Sequence, residues 1–377
     1  MKLFLPALAI MGSLGSLNAQ EPILDSWMLN TDGTLATYWE SNGNMNNPTF
    51  TFNTSSDSAD IKKLCYDNNF VYVVTGGMTT NMGQFTNPGA PVDQGYTFKF
   101  PRNPQAGSGN EEVPTVNVSG VLINGVPIFG LSDSKSWDNN SQDNSPMGQG
   151  IWIGEAYYSE GETLDTAFAA HPQQDGAYHS HATPYRFYDF PSTSHSGIVG
   201  FANDGFPVYG PYGYANPNDN SSPIVRMESS YTLRSITQRH TLADGTVLNA
   251  SEYGPDVSAT HPLGEYIADY EYINGLGDLD DHNGRWCVTP EYPSGTYCYF
   301  VTTDASGAPA FPYYFGETYY GNPVPENNSN ASQTNIPGSA SCGQVSSVNN
   351  DLEMDINVFP VPARDFITIN NLSLIHI

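Results

Sequence analysis

Basic residues are scarce. The 377-residue chain carries 12 Lys and Arg against 39 Asp and Glu, a formal charge of −27. Such a chain repels phosphate backbones and anionic lipid, which argues against nucleic acid as a partner. Charged residues of both signs make up only 14% of the sequence, so its polarity rests on Asn, Ser, Thr and Gly. Long apolar runs are missing beyond residue 20, and none approaches the ~20 residues of a membrane-spanning helix. No G-x-S-x-G nucleophile turn occurs, and no Gly-rich phosphate loop follows a strand pattern. Cysteine is limited to Cys65, Cys287, Cys298 and Cys342, which allow three pairings.

Turn formers and aromatics are plentiful, with 36 Gly, 28 Pro, 24 Tyr and 18 Phe. That mixture suits short strands joined by many turns. The expected fold is mainly β, a compact sheet or sandwich-like domain with duplicated hairpins and few short helices. "ETLDTAFAA" (162–170) and "LGEYIADYEYI" (263–273) are the best helix candidates. Residues 1–20, with Lys2 ahead of an apolar stretch and Ala19 at a cleavage point, read as a secretory signal peptide. Export permits disulfides. Cys287 and Cys298 flank the turn-rich "CVTPEYPSGTYC" and are the natural pair, leaving Cys65 and Cys342 by elimination.

The other end divides into three pieces. Residues 322–350 are rich in Asn, Ser and Pro without a period and read as a flexible linker. The last six residues, "LSLIHI" (372–377), match what a sequencing adapter gives when read as codons. They are expected to be an assembly scar, and His376 receives no role. Between these lies "MDINVFPVPARDFITINNL". Phe359, Pro360, Pro362, Ala363, Asp365, Ile367 and Ile369 resemble the start of the C-terminal sorting domain of the type IX secretion system of Bacteroidota. Val361 departs from the usual Asn. The resemblance makes 351–371 a truncated sorting signal, the type IX machinery a partner, and the destination secreted or the outer cell surface.

Within the expected β domain, residues 21–321, two segments echo each other: "GVLINGVPIFG" (120–130) and "GFANDGFPVYG" (200–210). Each reads as strand, tight turn at Asn124-Gly125 or Asp204-Gly205, then strand. A weaker echo joins "DGAYHSHATP" (175–184) to "SGTYCYFVTT" (294–303). There Cys298 and Phe300 take the places of His179 and His181. On a strand, residues i and i+2 share a face ~7 Å apart, so His179 and His181 can converge on one ion. A third ligand would complete an open metal site. His171, His195 and Asp204 are the candidates, and copper or zinc suits imidazole best. The bland alternative is imidazoles packed against Tyr178 and Tyr185. His240 reads as surface and His261 as a turn residue. His282 lies in "GDLDDHNGRW", which lacks the calcium-loop frame and reads as a solvated turn.

The order of these motifs carries a family resemblance. "VSGVLINGVPIFG", "GAYHSHATP", "SGIVGFANDGFPVYGPYGY", "GDLDDHNGRWCVTPEYPSGTYCYFVT" and "FPYYFGETYYG" resemble the YHYH-domain proteins over about residues 116–321. Tyr178, His179 and His181 match the name, while Ser180 replaces the second Tyr. The resemblance implies a shared fold and a shared histidine site. Because Ser180 alternates with the imidazoles, it should face away from them. Three functions follow. A metal-binding surface protein comes first, and a non-catalytic glycan-binding module using "YGPYGY" and "FPYYFGETYY" comes second. A metal-dependent enzyme with Asp204 or Tyr209 as base or hydrogen-bond donor comes third.

Overall fold

The computed structural model describes residues 21–343 except 45, 88 and 329–331. The expected signal peptide, sorting signal and adapter scar lie outside the described residues. At the centre is an eight-stranded sheet. Its spatial order runs Ala170–Pro172, Tyr178–Ser180, Pro127–Phe129, Val118–Leu122, Ile198–Ala202, Pro207–Tyr209, Thr296–Phe300 and Gly284–Cys287. The fold is mainly β, with short helices only at Pro22–Asp25 and Ala156–Glu160 among the described residues, besides single 3₁₀ turns.

Both echoes become a repeat in space. The two hairpins meet through their first strands, antiparallel, with Phe201 opposite Val121, Gly200 opposite Leu122 and Ala202 opposite Gly120. Each second strand then takes a parallel neighbour at matched positions: Ser180 pairs with Ile128, and Tyr299 with Val208. Each of those carries an antiparallel outer strand. The sheet is therefore two four-stranded halves related by an approximate two-fold about the Val121–Phe201 pair. The turns fall at the expected positions, but only their glycines take positive φ, Gly125 at +83° and Gly205 at +88°, and each is a three-residue loop closed by Leu122 N–H to the Val126 carbonyl or Ala202 N–H to the Phe206 carbonyl. A Cβ on Gly125 would also run into the Thr75 side chain.

Both faces of the sheet are covered. Val118, Val121, Phe129, Phe201, Tyr209, Cys298 and Phe300 pack with Val71, Val73, Tyr96, Phe98 and Phe100. The latter belong to a four-stranded sheet of Ile61–Tyr66, Phe70–Thr75, Tyr96–Pro101 and Ser341–Cys342. This makes a sandwich. Leu122, Ile128, Tyr178, Val199, Val208 and Tyr299 face the other way, against Phe311, Tyr313, Tyr314, Phe315 and Tyr319. Burying such a side chain contributes roughly 1.5–3 kcal/mol. The aromatic runs offered above as glycan platforms are thus largely core: Tyr209, Tyr212, Tyr313, Tyr314, Phe315 and Tyr319 are buried.

Three expectations need correction. Neither helix candidate is an α-helix. In the first, Asp165 accepts from the backbone N–H of Ala167 and Phe168 and folds the chain into a turn. The second contains a 3₁₀ turn, Ile267–Asp269, and a strand, Tyr270–Tyr272. Next, the described part of the expected linker is docked. Asn327 bonds both Lys99 backbone groups, and Thr97 bridges to Gln333. The flexible-tether reading is left with residues outside the description. Last, Cys287 and Cys298 are free thiols, whereas Cys65 and Cys342 form a disulfide. Register explains the difference. Cys65 stands directly opposite Cys342. Cys287 stands opposite Thr296 and Cys298 opposite Arg285, so that pair is diagonal.

Thiol titration tests the cysteine assignment. Denatured, unreduced protein is expected to expose two reactive thiols, Cys287 and Cys298. Full reduction should expose all four cysteines. Finding no free thiol before reduction would overturn it.

Candidate metal centre

The hairpin "AHPQQDGAYHS" builds the site at one edge of the sheet. Asp175 and Gly176 (φ +83°) turn the chain, and the Gln173 N–H donates to the Ala177 carbonyl. Strand pairing then sets His171 directly opposite His179. His181 lies two residues beyond His179, on the same face. Ser180 alternates to the other face, where its hydroxyl meets the Phe168 carbonyl at 2.7 Å and the Tyr314 hydroxyl at 2.8 Å. Phe129 on the neighbouring strand stacks on the His179 ring, centroids 4.0 Å apart.

The three imidazoles converge. His171, His179 and His181 are buried and each offers a ring nitrogen within 4.8 Å of the others. Their rings are steeply inclined to one another, at 65°, 84° and 80°. The second nitrogens are each committed. His179 Nδ1 donates to the Ala177 carbonyl at 2.9 Å, and His181 Nδ1 to the Gly130 carbonyl at 3.3 Å. His171 Nδ1 meets the Thr163 hydroxyl at 2.7 Å. That hydroxyl already gives its proton to the Glu160 carbonyl, so it can only accept from His171. A carbonyl cannot donate, so the proton of each neutral ring sits on Nδ1. The Nε2 lone pairs of all three rings therefore point inward. His179 Nε2 and His181 Nε2 are 2.9 Å apart, acceptor against acceptor, an arrangement that a cation between them would relieve. Outer partners that fix tautomer in this way are the usual companions of metal-bound histidine.

Burial keeps these rings neutral, the form that binds metal. It pushes His171 down to about 3, helped by repulsion from His181. Burial likewise lowers His181 to about 4, against the opposing pull of the Gly130 carbonyl. His179, fully enclosed, falls well below the usual histidine range. The carboxylate of Glu160 approaches two of the three rings, with Oε2 3.5 Å from His171 Nε2 and 3.4 Å from His181 Nε2. Burial raises Glu160 to about 7, with Asp133 adding to the rise and Lys135 opposing it. Because the imidazoles are neutral, these contacts are not ion pairs at neutral pH. A cavity of about 530 Å³ opens over the site, lined by groups such as Asn87, Asn117, Ser134, Gln173 and Gln174.

Two predicted ligands lie elsewhere. His195 belongs to the other half of the sheet. Its ring packs among Tyr209, Tyr214 and Phe300, and Nδ1 donates to the Ser196 carbonyl at 2.7 Å. Asp204 is a structural carboxylate. It accepts from the Tyr299 hydroxyl at 2.6 Å and from the N–H groups of Gly321 and Phe206 at 2.9 and 3.0 Å. Burial raises it to about 6 against those three bonds. Sequence proximity brought both residues into consideration, but strand order carries them to the wrong half. Tyr209, once considered a catalytic donor, is also there and bonds Thr289 and Glu291. His240 is half-buried and stacks on Tyr253, His261 bonds Glu265, and His282 bonds Thr318. Sequence reasoning missed Glu160, Thr163 and Phe129. Only the Glu160–Thr163 spacing, that of one helical turn, offered a local signal.

Residues 97–311 match the sequence model of the family described as YHYH protein. The chain belongs to that family. No curated protein and no solved structure matches it. The family match spans the entire central sheet, so the histidine hairpin is part of the YHYH domain itself. In this YHYH protein, Ser180 stands where the name has its second Tyr, bonded to Tyr314 on the face away from the imidazoles.

Substitutions separate the two kinds of residue. Asp204→Asn turns an amide N–H toward donors and should cost about 1–3 kcal/mol of stability. It should leave metal uptake unchanged, as should His195→Ala. Urea unfolding and metal analysis of the same samples check both expectations. Loss of metal in a folded Asp204→Asn protein would contradict the placement.

Proposed function

We propose that this chain is an exported metal-binding protein whose YHYH domain holds one transition-metal ion, copper or zinc, at His171, His179 and His181. The observation that carries the reading is the convergence of three buried Nε2 lone pairs whose Nδ1 protons are all committed elsewhere. Imidazole donors of this kind suit copper and zinc. Export rests on the signal-like residues 1–20 and the sorting-domain resemblance of 351–371. The machinery implied is the type IX system, and the destination secreted or the outer cell surface. Among the described residues no helix is long and apolar enough to cross a membrane. The cavity over the site favours a second reading, a metal-dependent enzyme acting on a small polar substrate.

Elemental analysis of protein loaded with zinc or copper and then desalted tests the first reading. Wild type should retain about one ion per chain, as a single set of three converging donors requires. His179→Ala should retain none. Metal at a hundredfold excess over Kd should add about 2.7 kcal/mol to wild-type stability and nothing to the variant. Equal metal content in both proteins would refute the assignment.

A further inference from the structure

The three histidines leave one side of their meeting point open, and Glu160 stands on it. It ends the short helix Ala156–Glu160, whose first turn is capped by the Glu155 carboxylate accepting from the N–H of Tyr157 and Tyr158. Its backbone is tied to the site independently of its side chain. The Glu160 carbonyl takes the Thr163 proton, and Thr163 takes the His171 Nδ1 proton. Main chain and carboxylate thus approach opposite nitrogens of one imidazole. The side chain is 31% exposed, and among the described residues no hydroxyl or backbone N–H donates to its carboxylate. What the carboxylate faces instead is the Nε2 lone pairs of His171 and His181. With Glu160 ionised, four acceptors meet with no donor between them and repel one another, and a cation joining them or a proton on the carboxylate relieves this.

The spacing fits a particular cation. A tetrahedron with metal–ligand bonds of about 2.0–2.1 Å has edges of roughly 3.3 Å. Three of the six edges are near this length: the Glu160 contacts with His181 and His171 at 3.4 and 3.5 Å, and the His179–His181 contact at 2.9 Å. Glu160 is not within 4.8 Å of all three ring nitrogens, so its side chain would swing toward His179 to complete the set. We infer that Glu160 is the fourth donor of the centre, closing a His₃Glu tetrahedron of the zinc type and separating the ion from the cavity above. This rests on the three-histidine reading and deepens it. As the most exposed of the four donors, Glu160 is the one an incoming ligand would displace.

Cobalt(II) titration of the metal-free full chain, followed by visible absorption, tests the assignment. Wild type should show the intense bands of four-coordinate cobalt, and zinc should displace them. Glu160→Gln, which keeps the shape, should bind roughly tenfold or more weakly with a changed band pattern. Glu160→Asp, which keeps the charge on a shorter arm, should also bind more weakly. Thermal unfolding of the metal-free proteins should show all three folded, with Glu160→Gln no less stable than wild type because its amide can donate to the imidazole Nε2 atoms. If wild type binds and His179→Ala does not, but Glu160→Gln gives wild-type affinity and bands, the Glu160 assignment alone falls. If wild type itself takes up no cobalt or zinc, the three-histidine reading falls with it.

Discussion

The close approach of two strands at the centre of the sheet sets the rest of the molecule. Val118–Leu122 and Ile198–Ala202 run so near each other that side chains are excluded at two equivalent points. A Cβ on Gly120 would lie 2.8 Å from the Phe201 carbonyl, and one on Gly200 would lie 2.7 Å from the Val121 carbonyl. Around this seam the hairpins face outward in opposite senses. Each presents a second strand that can accept a parallel neighbour. Parallel pairing is commonest in sheets buried on both faces. The four-stranded sheet covers one face here, and the aromatic segment 311–319 covers the other.

Duplication also explains why chemistry is confined to one half. The frame that places His171 opposite His179 places Arg285 opposite Cys298 in the other copy. Phe300 stands where His181 would be, and Tyr209 where Phe129 stacks on the imidazole. The second copy fills the equivalent space with aromatic rings and two buried thiols. The second copy has only His195 near that space, packed singly against Tyr209, Tyr214 and Phe300, so packing alone does not call for three converging imidazoles in the other. Three buried histidines with converging lone pairs cost desolvation and repulsion. A bound ion would offset both.

Much of this was legible in the chain. The Asn-Gly and Asp-Gly turns, the matched glycines and the Tyr-x-strand echo pointed to the hairpins and their duplication, because turn chemistry and alternation are local. His179 and His181 were legible for the same reason, since strand period puts them on one face. His171 was one candidate among several until the Asp175-Gly176 turn fixed its register. Glu160 was barely legible, since beyond its one-turn spacing from Thr163 nothing local links a residue closing a short helix to a hairpin further along. Asp165 deserved more weight against the helix pattern of 162–170, because its carboxylate satisfies the N–H groups that a helix would need.

The sequence by itself determined the class of fold, the turns, the alternation that sets Ser180 away from the imidazoles, and the scarcity of cations. These follow from backbone preference and charge over a few residues. Tertiary structure alone decided which histidines meet, that Asp204 and His195 stay apart from them, that Glu160 joins them, and which cysteines bond. Each of those depends on register between strands distant in the chain, and a shift of one residue turns a side chain to the opposite face.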